Sequence, residues 1–89
     1  MNYNKEKHYN KDNVSISVFI DTDSNYGYFE YEVEQTDEEI QMFGEQESDF
    51  VEGGLWFDGN QLVDYDGIDT LPEVVIKLIQ ELDYKTDSI

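Results

Sequence analysis

Between Lys11 and Lys77 the chain runs sixty-five residues without a single Lys or Arg, and that stretch holds eighteen carboxylates. It also holds most of the apolar residues, so it reads as a folded body and not as an acidic tail. A folded surface of one charge sign repels itself, which works against compaction. A small soluble domain needs a net charge of only about 2–8 in magnitude, with both signs interspersed. This chain carries −17 and has no Arg. Solubility does not require so much charge, and the excess asks for a functional reason.

Eighty-nine residues make one small domain, which buries about 60–65% of the surface its unfolded form exposes. High net charge combined with few apolar residues signals disorder. Here 38% of residues are apolar and 15% aromatic, enough to build a core. The chain has no Cys, which excludes disulfides, thiolate metal sites and Cys nucleophiles. No run approaches the roughly 20 apolar residues of a membrane span, and the polar N-terminus lacks a signal-peptide core. A cytoplasmic protein is the expectation. Anionic membranes and nucleic acid both repel such a surface, which argues against binding either one directly. The expected partner is basic.

Residues 1–12 differ in composition, with Lys5, Lys7, Lys11 and His8 set among Asn and Tyr and almost no aliphatics. They read as a flexible or loosely docked N-terminal arm. A single acidic domain is expected over 13–84, with a short tail at 85–89. From Asn13 to Asp21, Val14, Ile16, Val18 and Ile20 alternate with Ser15, Ser17 and Phe19, the period of a half-buried strand. Residues 21–27 are dense in turn formers, and Tyr28 to Glu34 alternates again, closing a β-hairpin. Thr36-Asp-Glu-Glu39 fits a capping box opening a short helix, although Ile40 and Met42 fit a strand equally well. A polar loop over 44–49 is expected next. Gly53 and Gly54 then lead into a short strand, Leu55–Phe57. Asp58-Gly-Asn60 signals a second hairpin that returns along Gln61–Tyr65. Thr70-Leu-Pro-Glu73 reads as a capping box with Pro72 in the first turn. Leu71, Val74, Val75, Leu78, Ile79 and Leu82 then follow helical spacing to about Asp83. The predicted fold is α+β: a small antiparallel sheet of two hairpins, about four strands, packed by one C-terminal amphipathic helix.

Strand parity assigns the charges to faces. Glu30, Glu32 and Glu34 occupy alternate positions, so they share the face away from the helix, roughly 6.5–7 Å apart. Asp21 and Asp23 lie at one end of this hairpin. Asp37, Glu38, Glu39, Glu45, Glu47 and Asp49 follow its other end. These eleven residues form the candidate partner-binding surface. Duplex DNA carries one charge per about 1.7 Å of axis, so eighteen carboxylates match roughly nine base pairs, or about 30 Å.

Other constellations are weaker. Asp21-x-Asp23-x-Asn25 with Glu32 at the twelfth position echoes a calcium loop, but Tyr26 occupies the required glycine position. A hairpin turn explains these residues without a metal. Asp64, Asp66 and Asp69 around Gly67 read as a turn and a helix cap. His8, the only histidine, lies in the expected arm, and there is no phosphate loop or triad context. The chain is therefore expected to be a non-enzyme without a cofactor.

In size, acidity and lack of basic residues, the body over residues 12–83 resembles the phage-encoded DNA-mimic inhibitors. That class includes anti-CRISPR and anti-restriction proteins and uracil-DNA glycosylase inhibitors, and its members do not share one fold. The resemblance implies a stoichiometric inhibitor that occupies the nucleic-acid groove of a basic nuclease or CRISPR effector. The alternatives are an acidic adaptor or antitoxin-like partner of a basic protein and, less favoured, a calcium-binding β module.

Overall fold

The computed structural model of the chain describes residues 3–45 and 49–87. Five strands, β1 (Lys5–Lys11), β2 (Val14–Asp21), β3 (Tyr26–Val33), β4 (Asp49–Asp58) and β5 (Gln61–Tyr65), form one antiparallel sheet in sequential order. Helix α1 (Asp37–Phe43) interrupts the sheet between β3 and β4, and α2 (Glu73–Glu81) follows β5. The α+β class and the C-terminal helix stand as the sequence predicted, but among the described residues the sheet has five strands and there are two helices.

Parity builds the core. Ile16, Val18 and Ile20 of β2 and Phe29 of β3 point to one face, where they meet Leu55, Phe57 and Leu62. Val75, Leu78 and Ile79 of α2 close over that face. Burying an aliphatic or aromatic side chain of this size contributes about 1.5–3 kcal/mol, so this single layer of contacts supplies most of what holds so small a domain together. Trp56 pairs with Asp64 while Phe57 pairs with Leu62, so β5 carries one extra residue, Val63, at a bulge. The bulge keeps Phe57 and Leu62 inside although Trp56 and Asp64 lie outside.

Three sequence expectations are corrected. The N-terminal arm is in large part a strand: Lys5 to Lys11 pairs in full register with Ile20 to Val14 across the turn at Asp12 and Asn13. With few aliphatics this segment gives no apolar alternation, yet an edge strand needs none, and its lysines blunt the edge against further pairing. Second, β4 begins at Asp49, inside the expected loop, and runs through Gly53 and Gly54. At Gly53 a side chain would collide with the Asp66 carbonyl oxygen and with Phe29, so glycine marks a close chain crossing and not a strand end. Third, Pro72 is itself the N-cap of α2, with φ −60° and ψ 145°, and makes no side-chain capping bond. Its extended backbone delays the helix to Glu73, leaving Thr70 and Asp69 too far upstream to cap it.

At the C-terminal end, Tyr84 packs on Phe57 with ring centroids 4.8 Å apart. Beyond it, in the expected tail, Lys85 forms a parallel bridge to Gln61, and Thr86 is buried and accepts a hydrogen bond from Gln80 Nε2 at 3.1 Å.

Candidate interaction face

The sheet face opposite α2 carries the charge. On β3, Glu30 and Glu32 point to this outer face, and the register places Glu52 of β4 directly across from Glu30. Like charges directly opposite one another destabilise a sheet, so the arrangement does not serve the fold. Glu34 lies just beyond β3, where its N–H donates to the Asn13 carbonyl at 2.8 Å. Asp37, Glu38 and Glu39 form the first turn of α1. The Thr36 hydroxyl caps that turn, accepting from the Glu39 N–H at 3.2 Å and donating to the Glu39 carboxylate at 3.1 Å. Glu45 is exposed just past the helix, and Asp49, also exposed, opens β4 opposite Val33, on the inward parity of Val51 and Leu55 and not on the outer face. Glu47 lies outside the described residues.

The candidate residues therefore divide into two groups. Glu30, Glu32, Glu34, Asp37, Glu38, Glu39, Glu45 and Asp49 gather at the α1 end of the sheet. Asp21 and Asp23 sit at the other end, and Asp21 is committed to its turn, accepting from the Asp23 N–H at 3.0 Å and the Ser24 hydroxyl at 2.9 Å. Among the described residues no group of three His, Asp or Glu side chains is arranged to hold a metal ion.

All five lysines lie off the outer face. Lys5, Lys7 and Lys11 share the inward parity of Tyr9 on β1, opposite Ile20, Val18 and Val14. Lys5 Nζ donates to the Leu82 carbonyl at 3.4 Å and lies 5.6 Å from the centre of the Tyr84 ring. Lys7 approaches Glu81 of α2 at 4.0 Å. Lys77 belongs to α2 and Lys85 to the segment after it. The cations thus gather around the helix, and the outer face keeps only His8, which pairs with Glu6 at 3.3 Å.

Between the two acidic ends lies an aromatic group that strand parity alone only half reveals. Phe19, Tyr26, Tyr28 and Trp56 share the outer face, joined by Tyr3. The Tyr28 hydroxyl donates to the Glu52 carboxylate. Sequence reading passed over Glu6, Glu52 and Asp64 on this face. Glu6 lay in the expected arm, Glu52 before a glycine pair taken as a strand boundary, and Asp64 in a cluster read as a turn. Lysine recurring at positions 5, 7 and 11, opposite in parity to Glu6, is the one signal for the first, and the glycines of 49–56 leave none for the second.

Around α1 the apolar side chains are also uncovered. Met42 is 73% exposed, Phe43 66% and the neighbouring Phe50 48%. On the opposite side of the sheet, a cleft of about 320 Å³ lies between Tyr9, Lys11, Tyr31 and Val74 near the β1–β2 turn. No described helix is long and apolar enough to cross a membrane. No family model matches the chain, and neither a curated protein nor a solved structure shows significant similarity to it.

Proposed function

We propose that the chain is a non-enzymatic inhibitor whose acidic face stands in for nucleic acid and blocks the DNA- or RNA-binding groove of a basic enzyme, as anti-CRISPR and anti-restriction proteins do. The observation that carries this reading is a face with acids and no lysine: Glu6, Glu30, Glu32, Glu52 and Asp64 share the outer face, while every lysine lies on or around the helix side. An eight-residue strand such as β3 spans about 27 Å, the length of roughly eight base pairs of duplex. A field of one sign over such a face steers a basic partner to it quickly. The setting is the cytoplasm, where the target nucleases act.

The test is displacement. A partner captured on the immobilised chain is expected to be released by duplex DNA or RNA, and its affinity to fall as salt rises. A partner that still binds nucleic acid while held, in a complex indifferent to salt, would sink the reading. The aromatic group on the same face favours a second reading, an acidic adaptor or antitoxin-like protein that neutralises a basic protein away from any groove. That reading predicts a salt-sensitive complex that nucleic acid does not displace.

A further inference from the structure

Polyanion mimicry leaves the aromatic half of the outer face unused. Phe19 of β2 stacks with Tyr28 of β3 at 6.3 Å and 29°, meets the His8 ring edge-on at 5.7 Å, and lies 5.6 Å from Tyr3. On the far side of β3, Tyr26 meets Trp56 edge-to-face at 5.6 Å. Trp56 remains 37% exposed, and α2 covers only the opposite face of the sheet.

Carboxylates flank these rings on both sides. Glu6 of β1 lies beside Phe19, Asp64 of β5 lies beside Trp56, and Glu30 and Glu52 continue the face past Tyr28. Ring faces carry negative potential and attract cations. An ammonium is a compact, strongly hydrated charge, whereas a guanidinium is planar, weakly hydrated, stacks on rings and bonds carboxylates with two parallel N–H groups. Rings interleaved with carboxylates therefore match arginine better than lysine. A second copy of the chain would bring Glu30, Glu32 and Glu52 against their own kind, which costs several kcal/mol. Nucleic acid also stacks on aromatic platforms, but it needs a positively charged groove, and this face has none.

We infer that the outer face docks an arginine-presenting protein segment, with guanidinium groups stacking on the Phe19–Tyr28 and Tyr26–Trp56 pairs and bonding to the flanking carboxylates. This deepens the inhibitor reading and rests on its basic partner, but commits that partner to arginine.

The experiment titrates the intact chain with oligo-arginine and oligo-lysine peptides of equal length at matched ionic strength. The arginine peptide is expected to bind about tenfold more tightly, which is the yield of a few cation–π contacts. Trp56→Leu and Phe19→Leu should each weaken the arginine peptide about threefold to tenfold and leave the lysine peptide within about twofold. Should a variant unfold, the wild-type chain still answers, because Trp56 is its sole tryptophan. Its indole N–H resonance should shift saturably with the arginine peptide at concentrations where the lysine peptide leaves it unmoved. Equal affinities, or an indole signal blind to both peptides, overturn the inference. Arginine selectivity with no displacement by nucleic acid would remove mimicry and keep this docking mode; displacement without selectivity would do the reverse.

Discussion

Tyr28 stands where the aromatic and acidic halves of the outer face meet. Burial raises its hydroxyl pKa well above the ordinary tyrosine value, and the hydrogen bond to Glu52 and the charges of Glu30 and Glu52 push the same way. Burial also raises Tyr3 and Tyr84. A pKa raised in the folded state means that the folded chain holds the proton longer than the unfolded one. The associated stability is complete below the unfolded value of about 10 and drains away as pH climbs above it. Alkaline titration followed by tyrosinate absorbance should therefore show a late step, and Tyr28→Phe should remove the latest part of it and flatten the alkaline fall in melting temperature. An unchanged profile in that variant would place the late proton elsewhere. None of this is legible from residues 28 and 52 separately. Their meeting depends on a β3–β4 register that carries β4 through two glycines, and the sequence alone suggests that the strand begins only after those glycines.

The elements differ in how firmly they are tied to the rest. Helix α2 buries Val75, Leu78 and Ile79, and its apolar spacing declared both its existence and its inner face. Helix α1 buries no residue. It is held by its own caps, the Thr36 hydroxyl at one end and at the other the Gly44 N–H bonded to the Ile40 carbonyl at 2.9 Å. Thr36→Ala should cost α1 about 1 kcal/mol of local stability and speed exchange of its amides. The global melting temperature should stay nearly constant, because nothing in the core leans on this helix. A large drop in melting temperature would mean that α1 packs more firmly than its exposure indicates. The capping box made α1 readable, whereas the alternative of a strand through Ile40 and Met42 stayed open because seven residues are too few to show a period. Strand β1 was hidden for another reason: its inward positions are Lys and Tyr, whose long stems cover apolar surface without marking the sequence as apolar.

At the scale of the molecule, five lysines against twenty-two acids leave the outer face under its own repulsion, with Glu30 opposite Glu52 as the sharpest instance. Screening should relieve it: the melting temperature should rise as salt increases from millimolar levels toward physiological strength, over which the Debye length falls from about 30 Å to about 8 Å. A melting temperature flat in salt would mean that the carboxylates are too dispersed to act together. The quantity of charge was plain in the sequence, but its division between faces was not, since that division depends on which way one edge strand looks. All three lysines of β1, Lys5, Lys7 and Lys11, fall on one parity with Tyr9, and Glu6, His8 and Asn10 fall on the other. A slip of one residue against β2 would turn three lysines outward and Glu6 inward. The two-residue turn at Asp12 and Asn13, with Asp12 held at φ 55°, therefore sets more than a chain reversal. It decides whether the outer face is purely acidic or a patchwork of both signs, so the uniformity of the surface a partner meets is written in the length of one turn.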